Sequence, residues 1–316
     1  MADVGLLVLV NAMWAGQYAA YKTATEQMGP ITVSAWTFLL AASVLTPFIL
    51  RERRRASSAD PLPSPEGLAA ALNSRSFWTR RNALGFLMVG VFGLVPSSCF
   101  LAWGTMRSTA SNAALIYLTI PIITAVLAAT ILGEKMTRTR WISLFVSLGG
   151  VLLLSDLDWR QLGVASSKFL LGNVLILLAC LSSAFYNVYA KELLRRFTPL
   201  QVLVYGYLMA VVLSLPLLMW VEPLSLSALQ GYTRATWLSL VVLSVLSWGL
   251  AMVLWMYLLT RLDVSQASVS IYLLPFLGVL ISALTLKEKI TTAMIVGGLV
   301  TLFGTILITS TEKTTA

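Results

Sequence analysis

The sequence predicts an all-α integral membrane protein of ten transmembrane helices, arranged as two inverted five-helix repeats, and three observations carry that prediction. Of its 316 residues 58% are apolar and only 11% are charged, with a mean hydropathy of +0.84; soluble domains sit near about 45–50% and about 25%. The stretch SNAALIYLTIPIITAVLAATILGEKMT, from Ser111 to Thr137, is written again 154 residues later as SQASVSIYLLPFLGVLISALTLKEKIT. This sets Ser111 over Ser265, Ala113 over Ala267, Pro121 over Pro275 and Glu134 over Glu288, which is an internal repeat. A shift of 169 sets Lys22 over Lys191 and Pro30 over Pro199, so the unit holds five spans. Five is odd, so the second copy must cross the bilayer upside down relative to the first, as in transporters that alternate between two symmetry-related conformations. The units are 1–157 and 158–316.

Taken in order, the apolar runs fall at 4–23, 31–50, 83–104, 111–132 and 141–155 in the first unit, and at 169–190, 200–220, 237–260, 265–286 and 292–310 in the second. About 20 apolar residues cross a bilayer's hydrocarbon as a helix. The first run lacks the basic start and small-residue cleavage site of a signal peptide, so it counts as a span. The longest break, 51–82, is Pro- and Ser-rich at its centre and basic at both ends, through Arg51, Arg53, Arg54, Arg55, Arg75, Arg80 and Arg81. It reads as a cytoplasmic loop, and most of the 22 Lys and Arg residues then fall on its side of the membrane together with both termini. Spans four and nine each carry one proline, Pro121 and Pro275. Proline inside a soluble helix costs about 3 kcal/mol, but membrane helices accommodate it where neighbours satisfy the freed carbonyl, so the pair are candidate hinges.

The candidate substrate site comes from polar and aromatic stripes. On the first span Asn11, Trp14, Tyr18 and Lys22 are spaced by three or four and share a helix face; the matching stripe on the sixth is Cys180, Ser183, Asn187 and Lys191, with Tyr186 beside it. Polar side chains in a bilayer face the bundle interior. Spans four and nine add Asn112, Tyr117, Gln266, Ser268 and Tyr272, while spans three and eight add Trp103, Trp248, Met252 and Trp255. Aromatic and thioether surfaces with a few oriented amides suit a small organic solute. The substrate-binding set is therefore Asn11, Trp14, Tyr18, Ser183, Tyr186, Asn187, Trp248, Tyr272, Asn112 and Gln266.

Other chemistries are missing. The chain has no His, and its Asp and Glu fall in loops or at span ends, so no catalytic residues, metal ligands or cofactors are expected, and a proton-driven pump with a midplane carboxylate is disfavoured. Glu134 and Glu288 read as members of interfacial ion pairs with the lysines that follow them. Cys99 and Cys180 fall inside spans, without a CxxC or Cys/His cluster, and imply neither disulfide nor metal. The net charge of +9 sits in loops between spans, where membrane topology explains it and no nucleic-acid partner is needed. The expected partners are a small-molecule substrate and the lipid bilayer, with the chain a monomer or weak dimer. A different class, an assembly or adaptor protein acting through the 51–82 loop, predicts that deleting the loop's centre abolishes activity.

The run STASNAALIYLTIPIITAVLAATILGEK from Ser108 to Lys135, its twin at 265–289 and the opening NAMWAGQYAAYK from Asn11 to Lys22 resemble the drug/metabolite transporter superfamily, in particular its EamA-type ten-helix members. The resemblance covers essentially the whole chain. It implies a ten-helix inverted-repeat fold, a central cavity lined by helices 1, 3, 4, 6, 8 and 9, and export or exchange of amino acids or related small metabolites. The second span reads VSAWTFLLA and lacks an arginine often seen early in that span. The first span lacks the glutamate of the related small multidrug resistance proteins, which tells against proton-driven drug efflux. A nucleotide-sugar or phosphometabolite exchanger is the other transport reading, and it would require several cations deep in the cavity, where only Lys22 and Lys191 come close.

Overall fold

The computed structural model describes residues 2–58, 79–108, 110–154, 167–222, 230–286 and 292–311, and the described residues are helical almost throughout. They form consecutive rods: α1 (Ala2–Thr25), α2 (Pro30–Ser58), α3 (Arg80–Met88, a π-helical stretch Val89–Leu94, then Val95–Thr105), α4 (Ala110–Tyr117, Ile120–Leu127, then a π-helical Ala128–Leu132) and α5 (Arg138–Leu154). The second series is α6 (Ser167–Leu194), α7 (Pro199–Val221), α8 (Arg234–Val242, π-helical Leu243–Ala251, Met252–Arg261), α9 (Val264–Val269, a 3-10 turn Ser270–Tyr272, Leu273–Leu286) and α10 (Thr292–Thr311). Among the described residues five rods carry windows long and apolar enough to cross a membrane, in α2, α3, α6, α7 and α8, and shorter apolar helices lie in α4, α9 and α10.

The starts of these rods follow from local chemistry. Pro30 and Pro199 open α2 and α7 at the first helical position, where a missing N–H costs nothing. Thr79, Thr198 and Thr233 cap α3, α7 and α8 by accepting the N–H of the residue three further on, and Gln201 completes a capping box with Thr198. The repeat is visible in the boundaries themselves. The 154-residue shift carries the start of α3 onto that of α8, the π-helical start at Val89 onto Leu243, the start of α4 onto that of α9 and the start of α5 onto that of α10.

Contacts at the rod ends fix their directions. Asp3 at the start of α1 pairs with Arg261 at the end of α8 at 3.0 Å, and Gln27, just beyond α1, accepts from Thr233 N and Thr236 Oγ1 at the start of α8, so α1 and α8 are antiparallel. Lys191 near the end of α6 donates to Leu259 O and Leu262 O at the end of α8, so α6 and α8 finish together. Hence α1 and its repeat partner α6 point in opposite directions.

The α5–α10 crossing shows the same relation at atomic scale. Ser147 Oγ donates to Thr301 O and Thr301 Oγ1 to Ser147 O, both at 3.3 Å, and these two positions are 154 apart. A Cβ on Gly150 would meet Gly297 O and Thr301 N at 2.7 Å; a Cβ on its partner Gly304 would meet Ser143 O at 2.9 Å and Ser147 N at 3.1 Å. A residue that touches its own repeat equivalent lies on the pseudo-twofold axis, and small residues there let two backbones approach closely.

The boundaries differ most from the sequence reading at the end of α2. α2 runs on to Ser58 instead of ending near residue 50, which moves Arg51 to Arg55 from the loop onto a helical extension. Arg51 and Glu52 are exposed there, and Glu52 accepts from Thr198 Oγ1 at 3.2 Å; a helix rich in charge continues readily once outside the hydrocarbon. The rest of the predicted loop, 59–78, lies outside the described residues.

Candidate functional site

The two rods that carry the repeat-matched prolines, α4 and α9, are both broken at equivalent places, whereas α2 and α7 run unbroken through Pro47 and Pro216. Proline has no N–H to donate and its ring crowds the carbonyl four residues back; for Pro121 that is Tyr117 and for Pro275 it is Ile271. α4 interrupts at 118–119, where Thr119 N turns to Ile116 O at 3.0 Å, and α9 tightens into the 3-10 turn over Ser270–Tyr272. The freed backbone finds partners across the bundle. Tyr272 Oη donates to Leu118 O at 2.9 Å, two positions related by the repeat, and the Cys180 thiol from α6 approaches Ile116 O at 3.6 Å. Asn11 Nδ2 from α1 donates to Leu7 O at 2.8 Å and to Ser270 Oγ at 3.0 Å in the α9 turn. The two breaks therefore meet in the bundle interior, tied to α1 and α6.

The predicted residues fall into groups around this point. Trp14 packs on fully buried Trp255 with centroids 5.2 Å apart, and Trp255 Nε1 donates to Asn187 Oδ1 at 2.9 Å. Asn187 Nδ2 in turn donates to Ser183 O at 3.1 Å. Trp248 sits in a second aromatic group: its Nε1 donates to Tyr21 Oη at 3.0 Å, its carbonyl accepts from Tyr207 Oη at 2.8 Å, and Phe38 meets its ring edge-on at 4.9 Å. That carbonyl lies in the π-helical part of α8, where the helix's own pattern is loosened. Asn112 is fully buried near the start of α4. Gln266 has a local structural use, its Oε1 accepting Asp263 N at 3.1 Å at the start of α9. The Tyr18 side chain lies outside the described residues.

Among the buried polar atoms without a hydrogen-bond partner in the described residues are Asn11 Oδ1 and Tyr186 Oη. Leaving such a group unpaired costs about 1–3 kcal/mol, so a bound solute or water that reaches them is favoured. Two cavities lie elsewhere, beside α3: one of about 210 Å³ is lined by Trp103, Arg107, Leu171 and Leu175, and one of about 320 Å³ by Val91, Val95, Pro96, Cys99, Phe100, Trp103, Leu213 and Leu217. None of the ten predicted residues lines them, and of the aromatic residues named beside that set only Trp103 does. In this conformation Trp14 and Asn187 gather on Trp255, while Trp248 belongs to a separate aromatic group and Gln266 to a helix cap.

Sequence reasoning missed a charged cluster at the end of the bundle where α4, α6 and α8 finish. Gly133, at φ 73°, ends α4 in the left-handed conformation that glycine adopts without strain. The chain turns there and directs Glu134 at the start of α9, where its carboxylate accepts Val264 N at 2.8 Å, Ser265 N at 3.0 Å and Ser265 Oγ at 2.6 Å. A carboxylate at a helix N-terminus satisfies free N–H groups and complements the dipole. Arg140, fully buried, donates to Asp263 Oδ2 at 2.5 Å and to Ser265 Oγ at 2.9 Å, with Glu134 Oε2 at 3.8 Å. The expected interfacial pairing of Glu134 with the lysine after it is thus replaced by a buried helix cap; Glu288 lies outside the described residues. One signal in the sequence pointed to Arg140: the repeat sets it over Met294, and it sets Asp263 over Thr109.

The fold and this interior define a multi-pass membrane protein, helical almost throughout its described residues, with two broken helices meeting in its interior. The EamA-like transporter family model matches residues 2–156 and again 170–310, and the chain belongs to that family. An uncharacterized transporter of Archaeoglobus fulgidus is 26% identical over 97% of both chains. A probable terminal-alkyne amino-acid exporter of Streptantibioticus cattleyicolor is 25% identical over 96% of this chain and 92% of its own. A solved crystal structure superposes with a TM-score of 0.74 over 98% of each chain at 17% identity, a likeness of fold. The protein is a membrane transporter and not an enzyme.

Proposed function

We propose that the chain is an alternating-access exporter or exchanger of small organic metabolites such as amino acids. In this reading ten helices cross the cytoplasmic membrane with both termini in the cytoplasm, the units 1–157 and 158–316 rock against each other as a monomer or weak dimer, and Pro121 and Pro275 act as hinges. The observation that carries it is the meeting of the two broken helices at equivalent positions, with Tyr272 Oη on Leu118 O. Broken helices at an inverted-repeat interface are where transporters place a midplane site, and Asn11 and Tyr272 of the predicted residues contact the breaks here. Asn11 Oδ1 and Tyr186 Oη supply the polar contacts to the solute, and Trp14, Trp248 and Tyr272 supply apolar walls. The absence of carboxylates from the midplane favours downhill flux or exchange over proton-driven accumulation. The amino-acid class draws support from the S. cattleyicolor relative.

The test is counterflow in proteoliposomes loaded with an unlabelled mixture of the twenty amino acids, with labelled amino acids supplied outside one at a time. Uptake of at least one label above empty liposomes, lost in Asn11→Ala and Tyr186→Phe proteins that still fold, is expected. Uptake only of nucleotide sugars or sugar phosphates in a parallel panel would overturn the substrate class, and unchanged uptake in both variants would overturn the site.

A further inference from the structure

We propose that Arg140 is a gate-positioning residue: with Glu134, Asp263 and Lys191 it forms an ionic latch across one end of the bundle, so that this end opens less readily than the other. The inference rests on the alternating-access reading above and adds to it the residues that bias which side opens.

The four charges sum to zero and come from both halves of the chain. Glu134 and Arg140 lie on either side of the α4–α5 turn in the first half, while Lys191 and Asp263 belong to the second. Each reaches across the bundle: Glu134 to the start of α9, Arg140 to Asp263 and Ser265, and Lys191 to the last carbonyls of α8 at 2.5 Å from Leu259 O and 3.0 Å from Leu262 O. The Arg140 and Asp263 side chains are shut off from solvent. Attraction between charges is strongest in such low-dielectric surroundings, and each charge left without its partner there is strongly disfavoured. Opening this end must therefore separate paired charges before water can reach them.

The opposite end is built differently. Where the repeat would place the partners of Arg140 and Asp263 stand Met294 and Thr109, so the same ion pair cannot form there. That end is held by Gln27 against Thr233 and Thr236, and by Glu222, whose carboxylate accepts Ile31 N at 3.2 Å, Thr32 N at 2.8 Å and Thr32 Oγ1 at 2.8 Å. Two ends that the repeat relates are thus unequal, and Arg140 against Met294 and Asp263 against Thr109 are part of that inequality.

The test uses the full chain in lipid nanodiscs with Cys99 and Cys180 replaced by serine, and reads maleimide modification of one introduced cysteine at a time. Ala267→Cys reports the latched end and Ala24→Cys the opposite end; both positions are fully buried. Arg140→Gln is expected to speed modification at 267 by about tenfold or more and to slow it at 24, the reciprocal change of a shifted two-state equilibrium, with Arg140→Lys in between. Glu222→Gln is expected to move the two reporters in the reverse sense. If Arg140→Gln speeds both reporters together, or moves neither, the latch is overturned. Should Glu222→Gln still move them in opposite senses, alternating access survives that failure; if no variant does, alternating access falls with the latch.

Discussion

At the α5–α10 crossing, Ser147 and Thr301 exchange matching hydroxyl-to-carbonyl bonds, and Gly150 and Gly304 each face the backbone that the repeat predicts for the other. At the ends of the bundle equivalent positions hold different chemistry, Arg140 against Met294 and Asp263 against Thr109. The difference teaches what a duplicated fold must keep and what it can change. On the axis the two copies pack on each other through matching positions, so a larger side chain in one copy collides with the other copy's backbone and both glycines must stay small. Away from the axis the two copies contact different neighbours, and a charge can be added at one end without a counterpart at the other.

The comparison is broken most severely on the axis. Gly150→Leu and Gly304→Leu each drive a Cβ into backbone atoms at or within about 3 Å, at the upper end of or beyond the roughly 1–3 kcal/mol typical of overpacking. Both variants should lose the monodisperse peak in size-exclusion chromatography in detergent, and tolerance of one but not the other would show that the axis is less symmetric than its contacts. Next in size is Glu134→Gln. It removes a charge that accepts two backbone N–H groups and a hydroxyl, worth about 1.5–3 kcal/mol for a hydrogen bond to a charged group. Thermal unfolding should fall more than for Lys135→Gln, its sequence neighbour, and equal falls would return Glu134 to the interfacial pair first read from the sequence.

Asn187→Ala sharpens the difference between packing and binding. It leaves Trp255 Nε1 buried without its acceptor, at a cost of about 1–3 kcal/mol, so stability and transport should fall together; Asn187→Asp, which keeps an acceptor oxygen facing the indole, should recover less than Asn187→Gln if added charge in the interior is what the site rejects. The smallest effect is expected from Thr79→Ala and Thr233→Ala, the matched caps of α3 and α8, at about 1 kcal/mol each. Melting shifts that agree within error would extend the repeat from boundaries to energetics, and a clearly unequal pair would confine it to geometry.

Much of the fold was legible because hydrophobic length and repetition are properties of contiguous sequence. The apolar runs, Pro30, Pro199, Pro121 and Pro275 placed rods and breaks, and the 154- and 169-residue shifts paired them. Some inward-facing positions were legible for the same reason: Asn11 and Asn187 are buried and Trp14 packs on Trp255, as helical spacing requires, and Tyr272 reaches the opposite break. Gln266 was read as lining the site because a buried amide in a membrane helix needs a partner; the partner is the N–H of Asp263 at its own helix start, a use that spacing alone does not separate from substrate binding.

By itself the sequence determined that the chain enters a membrane, that it is helical, and that it carries an internal repeat. Hydrophobicity and backbone hydrogen bonding in lipid act segment by segment, which is why these properties can be read without a structure. Only the tertiary structure decided the partners of the charges. Arg140 reads as one more basic residue of a cytoplasmic loop, yet it is buried against Asp263 and Ser265, more than a hundred residues away in the chain. Ion pairing depends on distance and on exclusion of water, and neither exists for those residues until α4, α5, α8 and α9 have packed.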